Sequence, residues 1–324
     1  MKQYPLKGIH HVTAMTDDAE RNYHFFTDVL GMRLVKKTVN QDDIYTYHTF
    51  FADDEGHAGT DMTFFDFPNN PKGAPGTNSI SRTGFRVPND AALEYYKARF
   101  DEFGVKHDDI DTVFGTKVLR FEEEDGQRYQ LFSDENNTGV EPGVEPGVAW
   151  KNGPVPQDKA IYGLGPIEIT VSYYDEFKQA LMDLYGMKPI KEEENVTLLE
   201  VGKGGNGGQV ILCKDETTES RPGYGQVHHV SFRVENDEAI EEWFERYNEL
   251  GVRSSGIVDR FYFKALYTRV GHILIELSTD GPGFMGDEPY ETLGETLSLP
   301  PFLEDQREYI ESEVRPFDTT RSTK

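Results

Sequence analysis

The sequence predicts an α+β protein built from four copies of one small unit: a strand, an amphipathic helix ending near glycine, then several strands. Three observations carry this reading. "DVLGMRLVKK", beginning at Asp28, is echoed by "DLYGMKPIKE", beginning at Asp183. "NDAALEYYKARFDEFGV" is echoed by "NDEAIEEWFERYNELGV", and each follows a segment ending in "FRV". The later stretches "DGQRYQLFSDE" and "VGHILIELSTD" both read as a turn entering a strand. Self-similarity of this kind marks internal duplication, with two related modules in each half.

The elements follow in chain order. In "TDDAERNYHFFTDVLGM", Ala19, Tyr23, Phe26 and Leu30 recur at helical spacing, and Gly31 suits a left-handed end. Asp17 and Glu20 have capping-box spacing. The second helix offers Leu93, Tyr96, Phe100 and Phe103 along one face, and the fourth offers Ile240, Trp243, Phe244, Tyr247 and Leu250. Residues 139–158, rich in glycine and proline, read as a linker that Val144, Val148 and Trp150 can pack down. The expected organisation is therefore a first domain over 5–138, that linker, a second domain over 159–310, and a polar tail over 311–324. "PFLEDQREYIESEV" reads as a short helix before a frayed end.

Composition bounds the function. The 324 residues carry 58 acidic and 33 basic side chains, a formal charge of -25. Such a surface disfavours nucleic acid and anionic membranes as partners. Neither a membrane-spanning apolar run nor a signal peptide is read, so the expected location is cytoplasmic. Cys213 is the single cysteine, which excludes an intrachain disulfide framework and a cysteine-rich zinc site.

The chain has nine histidines, and four of them form two doublets: His10–His11 in "GIHHVTAM" and His228–His229 in "GQVHHVSFRV". Both doublets stand at the start of a module. Consecutive strand side chains point to opposite faces, so only one of each pair is expected to face the interior. His11 and His229, each followed by valine, are the matching positions. Glu276 in "GHILIEL" lies in an apolar strand and shares a face with His272 and Leu274. A carboxylate buried there must be paired, neutralised or bound to metal. A structural ion pair competes with ligation for Glu276, as a hydrogen-bonded role does for any one histidine. Two imidazoles and one carboxylate would make a facial triad with open positions, suited to non-haem Fe(II), with Mn(II) as a substitute. His24, His48, His57, His107 and His272 lack such a matching context, and of these His48 and His57, in "YHTFFADDEGHAG", leave a pocket role open.

At these residues the chain resembles the vicinal-oxygen-chelate superfamily. More narrowly, it is similar to the ring-cleaving dioxygenases acting on hydroquinones, a group that includes (chloro)hydroquinone 1,2-dioxygenases and methylhydroquinone-resistance proteins. The resemblance spans 5–310 and is carried by "GIHHVTAMTDDAERNYHFFTDVLGMRLVKKTVNQDD", "GQVHHVSFRV" and "DRFYFKALYTRVGHILIELSTDGPGF". It implies paired βαβββ modules around a metal, forming two vicinal-oxygen-chelate domains. It implies the ligands His11, His229 and Glu276, with His10, His228, Arg260 and Tyr267 around the substrate. The chain departs from the family at "YTRVGH", where a Y-F-R run and a nearby proline are usual.

The implied reaction opens a small 1,4-dihydroxybenzene with dioxygen. His228 is the expected acid/base, because histidine exchanges protons near neutral pH. Tyr267 would orient the substrate oxygen or a ligand, Arg260 would stabilise negative charge, and His10 would gate the site or bind the second hydroxyl. Competing readings are a catechol extradiol dioxygenase, a glyoxalase-type isomerase or lyase, and a resistance protein that sequesters a small molecule. Four modules in one chain can complete the fold, with a homo-oligomer left open.

The repeat also suggests a degenerate second site. His11 aligns with Glu168, His229 with Arg82, and Glu276 approximately with Leu131. Module one is expected to pair with module four around the metal. Modules two and three would then close a metal-free counterpart through an Arg82–Glu168 ion pair.

Overall fold

Strand pairing joins the first module to the last and the second to the third. The computed structural model describes residues 5–137, 139–140 and 143–321, so the expected domain edge at 138, linker residues 141–142 and tail residues 322–324 lie outside it. Module one contains β1 (Ile9–Met15), α1 (Ala19–His24), a π-helical turn over Phe25–Val29, β2 (Arg33–Asn40), β3 (Asp43–Ala52) and β4 (Asp61–Phe65). Module two contains β5 (Ser79–Val87), α2 (Asp90–Phe103), β6 (Lys106–His107), β7 (Asp111–Val113), β8 (Thr116–Glu122) and β9 (Arg128–Ser133). In module three come β10 (Gly163–Val171), α3 (Tyr174–Asp183), β11 (Lys188–Glu193), β12 (Val196–Glu200) and β13 (Gln209–Lys214). Module four supplies β14 (Val227–Val234), α4 (Asp237–Glu249), β15 (Ser254–Asp259), β16 (Phe263–Val270) and β17 (Ile273–Pro282).

One sheet has the order β15-β16-β17-β14-β1-β4-β3-β2, and the other β11-β12-β13-β10-β5-β9-β8-β6 with β7 on β8. Each is centred on an antiparallel pair, β1 with β14 or β10 with β5, that joins the two halves of the chain. The principal core draws Phe26, Phe64, Phe85, Leu181 and Tyr247 from all four modules, so the two sheets share one interior.

Local chemistry explains the helices, with some departures from expectation. Asp18, rather than Asp17, caps α1: its Oδ1 accepts from the backbone N–H of Glu20 and Arg21, both at 3.0 Å. Gly31 has φ 74°, which permits the sharp exit. Leu93, Tyr96 and Phe100 are buried, but Phe103 is exposed in the last turn, where Arg99 lies 4.9 Å over its ring. Leu250 is likewise exposed, at the C-terminal cap of α4.

The segment between the halves is pinned. The Val144 carbonyl accepts from Arg86 Nη1, and the Val148 N–H donates to Asp53 Oδ2. Val144 and Trp150 are buried while the Val148 side chain is exposed. The chain after 310 is not frayed where it is described. α5 (Arg307–Glu313) leads to buried Val314 and Phe317, which pack with Val39 and Tyr47, and Lys37 Nζ donates to the Phe317 carbonyl at 3.1 Å. Apolar residues spaced among charges hold this stretch down.

Candidate metal centre

Three adjacent strands bring His11, His229 and Glu276 together. β1, β14 and β17 are neighbours, and Ser231 of β14 stands opposite Glu276. His11 Nε2 lies 3.2 Å from His229 Nε2 and 3.2 Å from Glu276 Oε2, and His229 Nε2 lies 2.8 Å from that same oxygen. All three side chains are buried. Edges of about 3 Å are those of right-angled ligands held about 2.1 Å from one ion, so the triangle is one face of a coordination shell. Among the described residues this is the one group of three or more His, Cys, Asp or Glu side chains so arranged.

Both histidine doublets sit on β-bulges, which sequence alternation could not anticipate. Ile9 pairs with Phe232 but His11 with Ser231, leaving His10 as the extra residue. On the facing strand, Thr13 pairs with His229 but Ala14 with Val227, leaving His228 extra. A bulge breaks the up–down alternation and re-aims side chains. Consequently the rings of each doublet touch: His10 Nδ1 lies 2.9 Å from His11 Nδ1, and His228 Nδ1 lies 2.8 Å from His229 Nδ1.

Hydrogen bonding fixes where the lone pairs point. His10 Nε2 lies 3.0 Å from the Thr279 carbonyl, which can only accept, so His10 carries its proton on Nε2. His10 Nδ1 is then an acceptor for the Nδ1–H of His11, and the bare lone pair of His11 is on Nε2, facing Glu276. At the carboxylate, Oε1 accepts from Ser278 Oγ at 2.7 Å, whereas Oε2 is buried with no hydrogen-bond donor. Burial opposes charge on Glu276, yet the imidazoles of His11 and His229 beside it hold its carboxyl well below the usual range. Burial also lowers His229, against the pull of Glu276. Burial, with the adjacent His11 or His229 adding to it, pushes His10 and His228 down to about 3. Two imidazole nitrogens and a carboxylate oxygen converging in one buried site form a donor set that fits a divalent transition ion.

A cavity of about 320 Å³ opens over this face. His11, His229, His228, Arg260 and Tyr267 line it, together with Phe50, Phe65, Phe67, Phe263 and Leu274. Leu274 thus shares the inner face with Glu276 as expected, whereas His272 is exposed on the turn before β17, its N–H on Tyr173 Oη. His10 is not among the residues lining the cavity: it stands behind His11, with Nε2 on the Thr279 carbonyl. Arg260 lies 5.6 Å over the Tyr267 ring and donates to Asp42 Oδ2 at 2.9 Å. Tyr267 stands opposite Glu276, and burial followed by that carboxylate pushes its phenol up, so it stays a donor. His57 is outside the cavity, on Asp53 Oδ2 at 2.7 Å, but His48 is in it. Thr38 and the Asn40–Asp42 turn also line it, and sequence reasoning did not single them out. The pairing of Thr38 with His48 across β2 and β3 was the signal available only once register was known.

The profile of the glyoxalase/bleomycin resistance protein/dioxygenase superfamily matches residues 8–131 and 163–283. The chain is 42% identical over 318 residues to "Putative ring-cleaving dioxygenase MhqA" of Bacillus subtilis (strain 168), covering 96% of this chain and 99% of that one. The chain belongs to the ring-cleaving dioxygenase family of the vicinal-oxygen-chelate superfamily. It is 28% identical over 321 residues to the chlorohydroquinone/hydroquinone 1,2-dioxygenase of Sphingobium indicum, covering 94% of this chain and 95% of that one. A crystal structure from Bacillus subtilis subsp. subtilis str. 168 superposes with a TM-score of 0.89 at 32% identity, over 99% of this chain and 100% of that one.

This vicinal-oxygen-chelate chain keeps its second site without the ligands. Arg82 Nε lies 3.4 Å from Glu168 Oε1, and the two stand opposite each other across β5 and β10. The bulges recur too: the register shifts around Glu168 leave Ser81 extra where its counterpart is His228, and Ser81 Oγ donates to Glu168 Oε1 at 3.0 Å. The counterpart of Glu276 is Gln130, not Leu131. Phe232 pairs with Leu277 as Phe85 pairs with Leu131, which places Gln130 one residue earlier, as Glu276 is. Strand pairing, not sequence similarity alone, fixes that correspondence. In this counterpart a charge pair occupies the position of the metal link.

Proposed function

We propose that the chain is an Fe(II)-dependent dioxygenase that opens the ring of small hydroquinone-type diols: hydroquinone itself or its methyl or chloro derivatives. The observation that carries this is the convergence of His11 Nε2, His229 Nε2 and Glu276 Oε2 at the floor of a largely aromatic cavity. The name of the Sphingobium relative supports the substrate class. Bound iron would supply the electron exchange through which dioxygen reacts with an aromatic ring.

The protein's own groups divide the remaining work. Apolar walls exclude water and hold the ring against the metal face, turning an encounter into a positioned reaction. His229, with Nε2 committed to the ion, donates Nδ1–H to His228. His228 therefore presents its other nitrogen to the cavity and is the group that exchanges a proton with a substrate hydroxyl. Tyr267 donates to the oxygen nearest Glu276, and Arg260 stabilises negative charge as it develops. His10 orients His11 and acts through it, as a positioning residue. Mn(II) as a substitute ion belongs to the same reading, because the donor set suits both metals. A cytoplasmic setting, suited to a protein with a lone cysteine, belongs to it too.

The test is anaerobic loading with Fe(II), followed by oxygen uptake and product identification with matched hydroquinone and catechol. Consumption of one dioxygen per hydroquinone, with a ring-open product, is expected. Equal turnover by metal-free protein would reject the reading.

A further inference from the structure

We propose that Thr38 and His48 form a second polar pole of the cavity, one that binds the substrate hydroxyl remote from the metal and so selects 1,4-diols over 1,2-diols and monophenols. This rests on the ring-cleaving reading above and names the feature that would set its substrate class.

The two residues stand directly opposite each other on β2 and β3, and both line the cavity. Thr38 is 2% exposed, and its Oγ1 is buried without a hydrogen-bond partner. A buried hydroxyl in that condition is costly unless a ligand satisfies it. His48 is held rigidly. Its ring lies 4.0 Å from that of Phe50 and 4.5 Å from that of Phe65. Its Nε2 is engaged at 3.0 Å by Thr63 Oγ1, which meets Thr13 Oγ1 at 2.7 Å. That leaves Nδ1 with no protein partner among the described residues. Thr38 and His48 therefore line the same cavity from neighbouring strands, each with a polar atom that has no protein partner among the described residues.

Their position decides which oxygen they meet. The sheet order β1-β4-β3-β2 puts β3 two strands and β2 three strands from the strand carrying His11. At about 4.8 Å per strand this is on the order of 10 and 14 Å along a sheet that curls around the cavity. Phe65 lies between the two poles, its ring 4.5 Å from that of His48 and 5.7 Å from that of His228, and Phe67, Phe263 and Leu274 add apolar lining to the cavity. A ring that places one oxygen at the metal face and lies against these side chains directs a para oxygen at the far wall. A catechol presents both oxygens at the metal edge, and phenol has no second one. Either leaves Thr38 and His48 unpaired, and a site built to hydrogen-bond a hydroxyl discriminates strongly against ligands that lack it.

The experiment measures anaerobic binding of hydroquinone and phenol to the Fe(II)-loaded protein, by calorimetry, alongside oxygen uptake with hydroquinone. The wild type is expected to bind hydroquinone at least about tenfold tighter than phenol. Thr38→Val with His48→Leu should bring that ratio close to one through weaker hydroquinone binding alone, with iron content and phenol affinity kept. His48→Gln, which retains a polar group, should restore part of the preference. Should the double variant lose iron or fail to fold, the near-isosteric Thr38→Val alone must still lower the ratio. A wild-type ratio near one, an unchanged ratio in the variants, or parallel loss of both ligands overturns the pole. Hydroquinone turnover with an unchanged ratio sinks the pole and leaves the dioxygenase reading intact. A collapsed ratio without wild-type turnover does the reverse.

Discussion

The main-chain carbonyl of Thr279 accepts the Nε2–H of His10 at 3.0 Å, and this contact sets the proton arrangement of the metal centre. It makes His10 Nδ1 an acceptor, which turns the Nε2 lone pair of His11 toward Glu276. Partners of this kind tune ligand basicity and orientation, and their loss typically lowers metal affinity about 10–100-fold. His10→Phe is expected to show that loss in a chelator competition, with His11 still in place. Unchanged affinity would mean that the bulge alone orients His11.

Removing a ligand should act more severely. His229→Ala is expected to abolish stoichiometric iron binding and turnover together, as read by metal analysis after desalting and by oxygen uptake. Glu276→Gln keeps the shape but removes the charge that the cation balances. It should bind iron far more weakly than the wild type, as read by the same metal analysis.

In the metal-free sheet the prediction concerns stability. Arg82 and Glu168 are both mostly buried, so removing one leaves the other poorly compensated. Arg82→Leu is expected to destabilise by about 1–3 kcal/mol, and adding Glu168→Leu should recover part of that. Urea unfolding of the single and double variants measures the coupling. Iron content should be unaffected throughout, since neither residue lies in the metal-bearing sheet.

A pH effect follows from Asp66. Burial pushes its carboxyl up to about 7 from an ordinary 3.8, although its Oδ1 accepts from the Tyr47 N–H at 2.6 Å. A carboxyl raised on folding is protonated first in the native state. Its contribution is therefore fully present below about pH 4 and is lost as pH rises through 7. Asp66→Asn should remove that loss. Relative to the wild type, the variant gains about 1–2 kcal/mol between pH 4 and pH 8, allowing for the partial exposure of the site. A stability difference that stays flat across this range would contradict the assignment.

The sequence by itself determined the repeated unit, because amphipathic spacing and the paired "FRV" and D-x-x-G-M segments are local features written in neighbouring residues. It also singled out the three candidate ligands: two matched histidine doublets and a glutamate in an apolar strand stand out, and the family resemblance implies the same set. The Arg82–Glu168 pair was legible for the same reason, by aligning one copy of the unit with another. What only the tertiary structure decided depends on register between segments far apart in the chain. The bulges at His10 and His228 exist because β1 and β14 pair with one residue extra on each side, and no local pattern encodes a mismatch between strands more than two hundred residues apart. The same holds for Gln130 in place of Leu131, for His10 withdrawn behind His11, and for Thr38 facing the cavity beside His48. Side-chain chemistry is carried by the residue, but the face it points to is set by the strand it pairs with.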